Sequence, residues 1–206
     1  MVLHQAPGAA DRSILRRSSG WRVPLCIAAV SIPASLADAA RVLLRYDRTA
    51  LSDGELWRLG TGHITHLGTS HLLLNLAGLA VVWLLVGSAV CLLDWLIVIA
   101  CGIAFIDLGF WVFNPQLEWY VGLSGLLHTM LVAGIAGQFR EAPTESILLA
   151  VVVAGKLAWE QLAGPLPGSE SSAGGPVVVD AHLYGAIAGI IAAGLIRARS
   201  RWNLPA

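Results

Sequence analysis

Long apolar runs separated by short polar segments dominate the hydropathy pattern of this chain. A helix needs about 20 mostly apolar residues to cross the hydrocarbon core of a bilayer. The runs of sufficient length are Val23–Ala40, His71–Gly87, Val90–Phe113, Val121–Phe139, Glu145–Leu162 and Val177–Leu195. The fifth run is the most polar, because it contains Lys156 and Glu160. The pattern therefore predicts an all-α membrane protein, a bundle of six transmembrane helices.

The composition supports a single membrane domain. Of the 206 residues, 56% are hydrophobic and 13% are charged, against about 25% charged in soluble domains. The formal net charge is zero, so no nucleic-acid partner is expected. The cysteines Cys26, Cys91 and Cys101 have no paired spacing, which argues against a disulfide framework or zinc knuckle. We expect a lipid-embedded domain over 23–197, with cytoplasmic tails at 1–22 and 198–206.

Arginine placement predicts the orientation, since cytoplasmic loops are enriched in basic residues. With six spans and an internal N-terminus, eight arginines lie inside and four outside. The inner ones are Arg12, Arg16, Arg17, Arg22, Arg140, Arg197, Arg199 and Arg201, and the outer ones are Arg41, Arg45, Arg48 and Arg58. This favours an N-in, C-in topology.

An alternative is that the first run is a signal peptide cleaved near Ala34–Ala37, although Pro24 and Pro33 interrupt it. Asp94 and Asp107, near the ends of the third run, are expected at the membrane interfaces.

Two motifs carry candidate chemistry. Gly122-Leu123-Ser124-Gly125 opens the fourth run; it is either a small-residue packing motif or a serine nucleophile with open backbone around it. His182 opens the sixth run and shares a helix face with Gly185 and Gly189. It is either an interhelical hydrogen-bonding residue or a functional one, because ionisable groups in spans are costly.

A third set, His66, His71 and Asn75, lies at the start of the second run. His71 and Asn75 are four apart and share a face, where two donors could hold an oxyanion. A zinc site of His63, His66 and His71 is the alternative, disfavoured because no H-E-x-x-H motif is present. Antiparallel packing brings the outer ends of runs two, four and six to one depth. A nucleophile, a base and oxyanion donors would then meet, as acyl transfer requires.

The ordered combination of these motifs resembles the rhomboid family of intramembrane serine proteases. The matching features are Trp57-Arg58, His66, His71 with Asn75, Gly122-x-Ser124-Gly125 and Ala181-His182-x-x-Gly185-x-x-x-Gly189. The resemblance implies a six-helix rhomboid bundle in which Ser124 attacks a peptide carbonyl and His182 is the general base. It also implies an oxyanion site of the Ser124 N–H, His71 and Asn75, no acidic third member, and no metal or cofactor. His128 stands where many rhomboids have a tyrosine packed against the catalytic histidine.

Further segments resemble the rhombosortase subgroup. They are Gly122-Leu-Ser-Gly-Leu-Leu-His128, Lys156-Leu-Ala-Trp-Glu160-Gln161 and Val179-Asp-Ala-His-Leu-Tyr-Gly185. This resemblance implies a bacterial inner-membrane protease, open to the periplasm, that removes GlyGly-CTERM sorting signals from exported proteins. The alternatives are a rhomboid protease with other single-span substrates and a non-proteolytic rhomboid-like binding protein. Lys156 and Glu160, four apart on one helix face, are either a neutralising structural pair or a polar contact for the transmembrane substrate.

Overall fold

The computed structural model describes residues 21–202, in which all six apolar runs form helices. The elements in chain order are α1 (Arg22–Leu36), α2 (Asp38–Leu44), β1 (Tyr46–Asp47), α3 (Arg48–Ser52), α4 (Arg58–Thr61), α5 (Thr69–Val86), α6 (Leu92–Phe113), β2 (Trp119–Tyr120), α7 (Ser124–Gln138), α8 (Pro143–Ala163), α9 (Ser169–Ala173) and α10 (Val179–Trp202). The predicted tail at 1–22 lies almost entirely outside the described residues, as does the end of the one at 198–206. Helix α10 continues through Trp202.

Within residues 21–202, four helices are long and apolar enough to cross a membrane: α5, α6, α8 and α10. The count rises to five if α1 and α2 together form one span, but these two helices meet at an angle of 115°. Pro33 lies inside α1, and the backbone at Ala37 is extended. Val23–Ala40 is therefore not the single continuous helix that its hydropathy predicted.

Helix α7 has only 15 residues, as few as α1. Its predicted start at Val121 is three residues early, because Gly122 has a φ of +138° that a helix cannot include. The Gly122 N–H instead donates to the carbonyl of Gly62, at 3.0 Å. By length alone α7 does not reach the roughly 20 residues of a full span, so the six-span count is supported only in part.

Small residues allow α7 to occupy the centre of the bundle. A Cβ at Gly134 would overlap the side chain of Val86 on α5, and a Cβ at Gly189 on α10 would lie 2.7 Å from the Thr129 carbonyl. Helix α8 lies at the periphery and exposes large apolar side chains, as a lipid-facing helix does. They include Ile147, Leu148, Val151 and Val152.

The segment between α1 and α5 is folded on itself. Strands β1 and β2 pair antiparallel, with Tyr46 opposite Tyr120. Arg58 is buried and its Nη1 donates to the carbonyls of Val42 and Arg45, each at 2.9 Å. The Nε1 of Trp57 lies 3.4 Å from the carbonyl of Leu43. Trp57 and Arg58 therefore hold the later part of this loop against its start, at residues 42–45.

Asp107 packs against the loop between α4 and α5, where it meets His63. Its side chain is buried within the bundle, 3.2 Å from Nε2 of the equally buried His63. A carboxylate can be placed there because the imidazole offers it a hydrogen bond. Asp94 lies in the first turn of α6, 3.6 Å from Arg199.

Candidate active site

Ser124 and His182 form a hydrogen-bonded pair. Nε2 of His182 lies 2.9 Å from Oγ of Ser124. Ser124 is the first residue of α7, and His182 is in the first turn of α10 with 5% of its surface exposed. The helices approach closely because both are glycine at the crossing: a Cβ at Gly185 would overlap the carbonyl of Gly125. The two candidate residues, 58 positions apart, are thus within proton-transfer distance.

The position of Ser124 at a helix N-terminus bears on its chemistry. The first N–H groups of a helix have no intrahelical acceptor, and the helix dipole favours negative charge at that end. The turn that presents them is held by Tyr120, whose hydroxyl donates to the carbonyl of Gly122 at 2.7 Å. An oxyanion formed on a carbonyl attacked by Ser124 would therefore meet backbone donors at this end of α7.

His71 supplies a side-chain donor next to this turn. Its Nδ1 accepts from the Leu67 N–H at 3.3 Å, which leaves the ring proton on Nε2. That nitrogen would lie 3.3 Å from a Cβ placed on Gly122, so glycine there leaves the ring room. The amide of Asn75 instead donates to the carbonyl of His71, at 3.1 Å. In this arrangement His71 faces the nucleophile turn, and Asn75 holds its backbone.

His66 lies behind His71. The two rings meet edge to face at 5.1 Å, and Nδ1 of His66 lies 3.0 Å from Oγ of Ser35 on α1. Burial, with a smaller contribution from His71, lowers the pKa of His66 to about 3. The His66 ring therefore stays neutral near pH 7 and adds no charge beside His71. Its contacts with Ser35 and His71 indicate that it holds the His71 ring in place.

His128 stacks on His182. The ring centroids lie 4.4 Å apart and the planes are 22° from parallel. Because a carbonyl can only accept, Nδ1 of His128 donates to the Ser124 carbonyl, at 2.8 Å. The expected aromatic contact with His182 is therefore present with a second imidazole in place of a phenol ring.

Glu160 contacts the other ring nitrogen of His182. Its Oε2 lies 2.9 Å from Nδ1, and Nζ of Lys156 lies 2.7 Å from the same oxygen. The resemblance implied no acidic third member, yet this carboxylate adjoins the His182 ring. Asp180, which is too far round the helix, accepts instead from the Asn114 amide at 2.6 Å. The i, i+4 spacing of Lys156 and Glu160 indicated a pair, but only the packing of α8 on α10 aims it at the histidine.

One group of side chains in the described part of the chain has the geometry of a metal site. Ligand atoms of His128, Glu160 and His182 lie within 4.8 Å of one another. The ammonium of Lys156 already bonds to the Glu160 oxygen that would ligate, so a cation would have to displace it. The alternative zinc set of His63, His66 and His71 is not brought together in this way among residues 21–202.

The remaining predicted positions lie apart from this pair. Trp57 and Arg58 make their contacts within the first loop. A contact that the sequence did not indicate links Tyr184 to Asn114, whose carbonyl oxygen accepts from the tyrosine hydroxyl at 2.7 Å. With the Asp180 contact, it fixes the start of α10 against the end of α6.

Comparison with known families identifies the class. The sequence model of the rhomboid domain matches residues 53–199, which is more than half of the chain. The protein belongs to the rhomboid family, a family of intramembrane serine proteases, and its apolar helices make it a multi-pass membrane protein. No curated protein matches the chain.

Proposed function

We propose that this protein is an intramembrane serine endopeptidase that uses Ser124 and His182 as a catalytic dyad. The observation that carries the proposal is the 2.9 Å contact between His182 Nε2 and Ser124 Oγ, at the N-terminus of α7. A nucleophile, a base within hydrogen-bond reach and nearby oxyanion donors are the minimum for acyl transfer.

The reaction follows from these contacts. Ser124 Oγ attacks the peptide carbonyl carbon while its proton moves to His182 Nε2. The Ser124 N–H and His71 Nε2–H stabilise the oxyanion, and Asn75 acts through the backbone of His71. The C–N bond then breaks, and the amine leaves with the proton from His182. Water, deprotonated by His182, cleaves the acyl-enzyme and restores the serine.

The proposed substrate is the transmembrane segment of another protein. The serine lies in a bundle whose outer helices expose apolar side chains to lipid, so a membrane-embedded segment has the readiest access. A groove of about 300 Å³ begins beside the nucleophile turn. Its lining includes Leu67, Tyr120, Val121, Pro176 and Val178. It could hold the part of the substrate that emerges from the membrane.

The finer proposal is a rhombosortase activity in a bacterial inner membrane, with the site open to the periplasm. It is supported by the subgroup resemblance around His128, Lys156 and Val179–Gly185, and by the arginine distribution. Under this proposal the substrates end in a GlyGly-CTERM signal, which consists of small residues, an apolar helix and a basic tail.

Two measurements test the proposal. A fluorophosphonate should label the purified wild-type protein and should fail to label Ser124→Ala, while His182→Ala should react at least 10²-fold more slowly because general-base help is lost. Co-expression with a GlyGly-CTERM substrate should yield a new C-terminus, found by mass spectrometry, at the small residues. A folded wild type that neither reacts nor cleaves would indicate a binding protein. Cleavage of other single-span proteins alone would refute the subgroup assignment.

A further inference from the structure

Two side chains of α8, Glu160 and Lys156, contact the ring nitrogen of His182 that faces away from Ser124. Nδ1 of His182 faces Glu160 Oε2 at 2.9 Å and Lys156 Nζ at 3.3 Å. The Lys156 ammonium contacts the same Oε2 at 2.7 Å. The Glu160 side chain is 3% exposed and that of Lys156 is 29% exposed. Building on the proposed function, we propose that Glu160 is a positioning residue that selects the catalytic tautomer of His182. Lys156 competes with it for contact with Nδ1 of the same ring.

The ring nitrogen that carries the proton decides whether His182 can act as a base. To accept the Ser124 proton, Nε2 must be unprotonated, so Nδ1 must carry the ring proton and needs an acceptor. The Glu160 carboxylate accepts, whereas an ammonium has no lone pair to offer. Lys156 could only donate to Nδ1, and that arrangement would put the ring proton on Nε2. A histidine in that tautomer would donate to Ser124 and could not serve as its base.

One oxygen of Glu160, Oε2, therefore accepts hydrogen bonds from two donors, the Lys156 ammonium and the His182 Nδ1–H. While Glu160 is ionised it engages both, and the lysine is kept from donating to the ring. Lys156 in turn compensates the charge of a carboxylate that would be costly to bury alone. When His182 takes the serine proton, Glu160 also stabilises the imidazolium against the positive charge of Lys156.

The other groups near His182 do not supply this function. His128 lies on the face of the ring and its Nδ1 donates to the Ser124 carbonyl. Asp180, on the same helix as His182, is bonded to Asn114. Glu160 is thus the carboxylate in contact with Nδ1. Because Lys156 lies beside it, losing this acceptor would leave Nδ1 facing a donor.

The first test is Glu160→Gln, which keeps the shape of the side chain. Its amide oxygen should turn to Lys156, leaving Nδ1 facing a donor. We expect kcat for a transmembrane reporter to fall by about 10²–10⁴-fold, the usual contribution of general base catalysis, with KM changed less than about threefold because the substrate contacts remain. Fluorophosphonate labelling should slow in parallel. The matched control is Glu145→Gln, at the exposed start of the same helix, which should react like the wild type.

The second test removes the competitor as well. In Glu160→Gln with Lys156→Met, the amide oxygen is free to accept from Nδ1–H, so kcat should recover by about tenfold or more over Glu160→Gln, the mark of a coupled pair. A purely structural role predicts the reverse, since the double variant loses more polar contacts. A folded Glu160→Gln with wild-type kcat, or a double variant no faster than it, would overturn the proposal.

The third test measures the tautomer in the unmutated protein. Nitrogen-15 NMR of histidine-labelled protein in micelles, assigned by comparison with His182→Ala, should show the proton of His182 on Nδ1 and none on Nε2. The opposite tautomer would overturn the proposal. Failure of the proposed function would look different, because the wild type itself would then neither label nor cleave.

Discussion

The ring of His128 lies flat on that of His182, at 4.4 Å between centroids, and takes no proton from Ser124 Oγ in this geometry. What it offers His182 is a planar surface. Stacked aromatic pairs contribute about 0.5–1.5 kcal/mol, so His128→Ala should slow cleavage by about 2–10-fold. His128→Tyr and His128→Phe, which restore a ring, should cleave at close to the wild-type rate in a reporter assay.

The same variants check which histidine is the base. His182→Ala should be inactive whatever ring occupies position 128, because Nε2 of His182 is the nitrogen in contact with Oγ. An inactive but folded His128→Tyr beside an active His182→Ala would reverse the assignment.

The geometry of the candidate site depends on how closely helices α7 and α10 cross. Gly185 faces the carbonyl of Gly125, with which a Cβ would overlap, whereas Gly194 on the same helix has open space. Gly185→Ala must therefore push the helices apart, and overpacking of this kind costs about 1–3 kcal/mol. We expect a lower Tm and a loss of cleavage, since the Ser124–His182 contact lengthens.

Gly194→Ala is the matched control for that variant. It adds the same methyl group to the same helix without a clash, and alanine is favoured over glycine in helices by about 1 kcal/mol. It should be as stable as the wild type or more so, and fully active. Equal Tm values for Gly185→Ala and Gly194→Ala would contradict the close-crossing argument.

These elements also show what the sequence could and could not predict. Hydropathy predicted all six long helices, and helical spacing placed His182, Gly185 and Gly189 on one face, because both depend on local periodicity. The break at Ala37 and the late start of α7 depend on backbone angles at single residues. The contact of Glu160 with His182 depends on how α8 packs against α10, which the spacing of residues within one helix does not encode.

In the whole bundle, the proposed dyad lies at the starts of α7 and α10, next to the turn of Gly122 and the loop that carries His66. In the proposed orientation, with an internal N-terminus, these starts face the outer side of the membrane. Under this proposal a substrate presents its peptide bond near the outer end of its own span. A helical peptide bond is shielded by its neighbours, so the segment has to unwind before Ser124 can attack it.

The cost of that unwinding should decide which proteins are cleaved. Glycine favours the coil over the helix by about 1 kcal/mol relative to alanine, so small residues at the outer end of a span lower the cost. In a co-expressed single-span reporter, replacing those residues by leucine should abolish cleavage, measured by immunoblot and by mass spectrometry of the new C-terminus. The matched control exchanges an equal number of apolar residues for leucine deeper in the same span, and it should be cleaved normally. Equal cleavage of both reporters would refute the unwinding argument and, with it, the proposed preference for glycine-rich sorting signals.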